Sequence, residues 1–137
     1  MKRILFFLCV IALASCEEKT VEKVVKVFPN DQPEVVEIYD ASGTTLIGKK
    51  TFFDNGQLHI QGSYLNGKKH GEWLSCYVNG NVWTINTYDQ GEYNGPYKMH
   101  NDDGSIRIQG AYKQGKESGR WTFFDEHGDI VKELDYE

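Results

Sequence analysis

Metal ligation and acid–base catalysis draw on histidine, cysteine and carboxylate side chains. This chain offers four histidines, His59, His70, His100 and His127, and three cysteines, Cys9, Cys16 and Cys76. No two histidines stand in an HxxxH spacing and no two cysteines in CxxC, so nothing in the sequence makes metal ligands converge. The histidines therefore read as solvated or packing residues. The run Asn101-Asp102-Asp103-Gly104-Ser105 has the oxygen density of a calcium loop. It lacks the spaced ligands and terminal glutamate of an EF-hand, and it reads as a turn. No nucleophile–base pair is evident. The expectation is a protein that is not an enzyme, with no catalytic residues, no metal and no cofactor.

Aromatic residues are the better candidates for binding. Trp73, Tyr97 and Trp121 are each 24 residues apart. On every second strand of a sheet they would stand about 9.5 Å apart, from the usual strand spacing. Such a row could stack on a glycan or hold an extended peptide. It could equally be the packed face of a thin sheet. Trp83 is out of phase with Val82 and Thr84 and is expected on the surface. Trp73, Tyr97, Trp121 and Trp83 thus form the candidate binding face.

The elements that must carry these rings follow from the same 24-residue step. It also relates Gly56, Gly80, Gly104 and Gly128, then Gly67, Gly91 and Gly115, then Gly71, Gly95 and Gly119, and finally Tyr64, Tyr88, Tyr112 and Tyr136. Several columns in one register indicate one supersecondary unit, repeated and stacked. Asn55-Gly56 and Asn79-Gly80 predict two-residue hairpin turns with positive φ at both central residues. Asp103-Gly104 is their next equivalent. Asn66-Gly67, Gln90-Gly91 and Gln114-Gly115 mark a second turn eleven residues later. Each unit thus has room for two strands and two turns but for no helix. Alternation agrees: Leu58, Ile60, Gly62 and Tyr64 share a face, as do Ile106, Ile108, Gly110 and Tyr112, and the periodic glycines would let rings lie close over backbone. The expected fold is all-β, an elongated single-layer antiparallel sheet of repeated hairpins. Its units fall at about 28–52, 53–76, 77–100, 101–124 and 125–137. The first is degraded, with strands expected at Val35–Tyr39 and Thr45–Phe53, and reads as a cap; the last is half a unit.

Asn55-Gly56, then Gly62-Ser63-Tyr64-Leu65-Asn66-Gly67-Lys68 and Gly71-Glu72-Trp73, resembles the MORN repeat in its bacterial variant form. The pattern recurs as Gly110-Ala111-Tyr112-Lys113-Gln114-Gly115-Lys116 with Gly119-Arg120-Trp121. The middle copy departs from it, with Asn86 for the first glycine, Pro96 after Gly95, and Tyr97 for tryptophan. The resemblance implies a sheet of successive hairpins. Some members are described as antitoxin-like, and eukaryotic relatives act in membrane tethering and scaffolding. It transfers no catalytic residue.

The N-terminus supplies an address. Lys2 and Arg3 precede an apolar run of ten residues, Ile4 to Leu13, too short to span a bilayer as a helix. Residues 1–15 read as a secretory signal. Leu13-Ala14-Ser15-Cys16 resembles the lipobox of bacterial lipoproteins, which implies cleavage before Cys16 and its lipidation. The rival reading is an ordinary signal peptide with Cys16 a free thiol. Residues 16–27 read as a charged tether, ending at or in a first strand, ahead of a repeat domain over 28–137. Glu17 and Glu18 resemble acidic export signals of some surface lipoproteins, or are a solvated spacer.

Without residues 1–15 the chain has thirteen basic and twenty acidic residues, a net charge of −7 against −5 for the whole. An acidic surface repels phosphate backbones, which argues against nucleic acid. Contact with a lipid bilayer would come through the N-terminal acyl anchor. Only Cys76 would remain in the domain, which excludes an internal disulfide, and it reads as a small packed side chain. The expected function is that of a non-enzymatic envelope lipoprotein, at the outer membrane with its facing open, acting as a protein-binding or scaffold module on an unknown protein partner. The alternative is an antitoxin-like immunity protein; glycan binding comes third.

Overall fold

A computed structural model describes residues 19–137. The expected signal peptide and Cys16 lie outside the described residues. Ten strands follow one another: β1 Val21–Val27, β2 Pro33–Tyr39, β3 Leu46–Phe52, β4 Leu58–Leu65, β5 Lys68–Cys76, β6 Val82–Asp89, β7 Glu92–His100, β8 Ile106–Lys113, β9 Lys116–Phe124 and β10 Ile130–Tyr136. They form one antiparallel sheet whose spatial order is their sequence order, β1 to β10. The all-β, single-layer arrangement of hairpins is the expected one. The sheet starts earlier than expected, however. Residues 21–27 are β1, paired along β2 from Val21↔Tyr39 to Val27↔Pro33, so only residues before Val21 remain for a tether. Four valines and a threonine before β2 supply the β-branched character that charge alone obscured.

The two long rims of the sheet turn differently. On one rim Asn66, Gln90 and Gln114 have φ of 52°, 50° and 52°, each followed by a glycine at positive φ. These are two-residue turns of the primed kind, closing pairs such as Leu65↔Lys68. On the other rim the expectation of two-residue turns at Asn55-Gly56 and Asn79-Gly80 is corrected. Only the glycines there have positive φ. The Gly56 amide donates to the Phe53 carbonyl and the Phe53 amide to that of Gln57, which makes a three-residue loop. The reason lies in the side chain of Asn55. Its Oδ1 accepts from the Gln57 amide and its Nδ2 donates to the Val78 carbonyl of the next turn. Asn79 repeats this with Asn81 N and Asp102 O, and Asn30 with Gln32 N and Asp54 O. Asparagine thus stitches turn to turn along this rim. Asp103 keeps the local bond to the Ser105 amide but carries no amide with which to reach onward.

Cross-strand partners place two rows on one face. Val35, Thr51, Ile60, Ser75, Thr84, Met99, Ile108 and Phe123 face one another in succession. Two residues along, Gly62, Trp73, Asn86, Tyr97 and Gly110 do the same. A single sheet has no second layer, so its core must be made by its own side chains lying flat. Among the described residues the buried hydrophobic ones are Val36, Trp73, Cys76 and Trp121. Each buried indole removes about 200 Å² from water, roughly 5 kcal/mol as an upper estimate.

Candidate functional site

Each tryptophan of the repeat lies over a glycine. A Cβ at Gly62 would fall 2.1 Å from Trp73 Cδ2, and one at Gly110 2.3 Å from Trp121 Cδ2. The indole N–H groups donate to the carbonyls of Ser63 at 3.0 Å and Ala111 at 3.2 Å. In the middle unit Asn86 occupies the glycine position, and Tyr97 rather than tryptophan faces it. The column is thus legible as a steric rule: glycine admits an indole, asparagine does not.

These rings form a ladder. Tyr64 meets Trp73 edge-on at 5.3 Å, Trp73 meets Tyr88 at 6.1 Å, Tyr88 meets Tyr93 at 4.6 Å and Tyr93 stacks on Tyr112 at 4.9 Å. Tyr97 stacks on Trp121 at 5.2 Å, far less than the 9.5 Å expected from strand spacing, because Trp121 leans over Gly110, the residue that faces Tyr97. Tyr136 closes the ladder against Trp121 at 6.4 Å. Lys69 Nζ lies 4.2 Å from the Trp73 ring and 4.8 Å from that of Tyr88. Burial raises the phenol pKa of Tyr64, Tyr88, Tyr97 and Tyr112 above the usual value, so all four are held neutral.

Trp73 and Trp121 are only 6% and 4% exposed. Of the candidate binding face, these two are therefore core, with Tyr97 half-buried between them. Trp83 is different: it is 41% exposed. It is skipped in the β5–β6 register, where Ser75 faces Thr84 and Cys76 faces Val82. His59 and Arg107, 24 residues either side, are skipped in the same way, so this column bulges from the sheet.

The bulged column sits beside another, the aromatic or polar residue before each Asn-Gly, which the sequence did not single out as a site. Phe28, Phe53, Tyr77, Asn101 and Asp125 each open a three-residue turn. At the N-terminal end both columns are aromatic. Phe53 packs on His59 at 4.4 Å and Tyr77 on Trp83 at 5.9 Å, with the Tyr77 hydroxyl donating to the His100 carbonyl. Between Phe28 and Phe53 opens a cleft of about 720 Å³ floored by Val35, Thr51 and Ile60 and walled by His59. His59 and Ile60 also line a smaller hollow of about 200 Å³ that reaches Trp73 and Trp83. Open aromatic surface therefore runs from the first turn to Trp83, on the face that holds the buried ladder. The signal was the turn-opening column, obscured because it changes from phenylalanine to aspartate along the chain.

The remaining candidate groups do not assemble. His70 Nδ1 is 3.3 Å from Asp89 Oδ1 but out of hydrogen-bond alignment, and His127 lies 3.8 Å from Glu126 on the surface. Among the described residues no three His, Cys, Asp or Glu side chains gather as metal ligands. Asp102 and Asp103 lie in a turn, where bonds from Ser105 hold the Asp103 carboxyl below its usual pKa. Cys76 is buried, which raises its thiol pKa and disfavours the thiolate.

Residues 49–66, the β3–β4 hairpin and its flanks, match the family model of the MORN repeat variant. No curated protein matches the chain. Among solved structures, TarM in the structure titled "Crystal Structure of TarM" is similar at 18% identity and a TM-score of 0.35. That match covers 72% of this chain and 20% of the TarM chain.

Proposed function

We propose that this protein is a non-enzymatic lipoprotein of a bacterial cell envelope whose repeat sheet binds or scaffolds another protein. The observation that carries the binding part is the open aromatic surface from Phe28 to Trp83, beside a ladder whose own indoles are buried. Scattered exposed apolar residues need no explanation, but an aromatic-lined cleft of several hundred Å³ is what binding sites are made of. MORN repeats are consistent with such a module. The envelope address rests on the basic start, the ten-residue apolar run and Leu13-Ala14-Ser15-Cys16.

Two measurements test the reading. Radiolabelled palmitate should enter the wild-type protein in a bacterial host and be absent from Cys16→Ser; equal labelling of the two removes the lipoprotein. Immobilised residues 17–137, which contain all ten strands, should retain a protein from envelope extract. Trp83→Ala, confirmed folded by circular dichroism, should lose it. Retention unchanged by Trp83→Ala moves the site off this surface. A retained toxin would make the protein an immunity factor rather than a scaffold.

A further inference from the structure

The cleft between the first two three-residue turns is specific enough to name the chemistry of its occupant. We propose that it receives the apolar or aromatic side chains of a partner polypeptide segment carrying lysine or arginine beside them. This deepens the binding reading above and rests on it.

Three observations support the assignment. First, the cleft's volume of about 720 Å³ is that of several side chains, and Phe28 and Phe53 give it flat apolar walls. Second, two of its five polar side chains, Asn30 and Glu34, are engaged within the protein. Asn30 donates to the Asp54 carbonyl and accepts from the Gln32 amide, and Glu34 accepts from Lys26 Nζ. On the floor, the Thr51 hydroxyl oxygen is buried without a partner. A sugar needs many directed hydrogen bonds, and this lining leaves only the side chains of Thr51, Asp54 and His59 to make them. An inserted hydrophobic side chain needs one or none. Third, the rim is acidic. Asp54 lies on the cleft wall and Asp31 in the turn beside Asn30, and Lys26, the base at the mouth, is already paired with Glu34. An anionic amphiphile such as a fatty acid would bring its carboxylate against these groups, whereas a basic flank would be attracted to them. The chain's net charge of −5 acts in the same direction. The apolar walls belong to this end: after Phe53 the equivalent turn positions are Tyr77, whose hydroxyl is bonded to the His100 carbonyl, and then Asn101 and Asp125.

The test uses residues 17–137 labelled with ¹⁵N and three probes: a pentapeptide of lysine, lysine, tryptophan, leucine and lysine, the same peptide with glutamate for each lysine, and laurate. The basic peptide should shift the amides of Phe28, Thr51, Phe53 and His59. The acidic peptide should bind at least about tenfold more weakly, the effect of roughly 1.4 kcal/mol of rim electrostatics. Asp54→Lys, which leaves the apolar walls intact, should reduce that preference, and Val35→Trp should fill the cleft and abolish the shifts. Should Val35→Trp unfold the sheet, Asp54→Lys alone decides. Laurate binding tighter than the basic peptide overturns the proposal, as do shifts centred on Trp83 with the cleft silent, or no shifts with any probe. Shifts at Trp83 alone would leave the broader binding surface standing. Cleft binding without retention of any envelope protein would leave this inference standing and remove the envelope partner.

Discussion

Trp73 and Trp83 belong to adjacent strands, yet one is 6% exposed and the other 41%. The difference is backbone register. Trp73 faces Gly62 squarely across β4–β5 and lies flat on it, with its N–H fixed to Ser63. Trp83 is skipped by its neighbour strand and bulges outward against Tyr77. In a sheet with no second layer, a ring is core only if the strand beside it leaves room. The same residue type therefore serves stability in one column and recognition in the other.

This contrast fixes the order of mutational effects. Trp121→Ala or Trp73→Ala should cost about 3–5 kcal/mol in urea unfolding, the range for deleting a buried large aromatic. Trp83→Ala should cost under about 1 kcal/mol, as expected of a half-exposed side chain away from special features. Equal costs would erase the distinction between the two columns. Next in size is Gly62→Ala, whose Cβ would meet Trp73 at 2.1 Å. Overpacking of this kind costs about 1–3 kcal/mol, and the tryptophan emission should shift red as the ring lifts. Asn79→Ala removes bonds to Asn81 and Asp102, and should cost about 1 kcal/mol by thermal melts.

The gentlest probe is pH. The ladder phenols have folded pKa values raised above 10.0, with burial the largest cause. Folding therefore favours their protonated form. Their contribution is fully present below pH 10 and is lost as pH rises through the folded values. Stability should fall in alkali, and tyrosinate absorbance at 295 nm should appear together with loss of the sheet signal. Absorbance that rises earlier, with the sheet intact, would show the tyrosines to be exposed.

Much of this was legible in the sequence. The columns of glycine, tyrosine and tryptophan at a fixed step carry nine of the ten strands, the antiparallel pairing and the single layer, but not β1. The glycine that admits the ring is readable as Gly62 and Gly110, and its absence as Asn86. The turn type was not readable at Asn55-Gly56, because Asn-Gly suits either loop length. The loop goes with a local bond that Asn55 and Asp103 share, the side-chain oxygen accepting from the amide two residues on. Nor was the open surface, since burial of Trp73 and exposure of Trp83 depend on a skipped residue that strict alternation does not represent. Phe28, Phe53 and His59 converge only when two rim turns are laid side by side.

The strand order has a consequence for how the molecule can be assembled. Every strand pairs only with its neighbours in sequence. Long-range β contacts, which ordinarily make all-β proteins slow to fold, are replaced by hairpin closures of a few residues, so contact order resembles that of a helical bundle. The sheet can then grow from any hairpin outward, one strand at a time. It can also be edited in whole units. Excising residues 77–100 would join β5 to β8 through an equivalent turn and set Trp73 opposite Gly110 in place of Asn86, a neighbour that suits an indole better than its own.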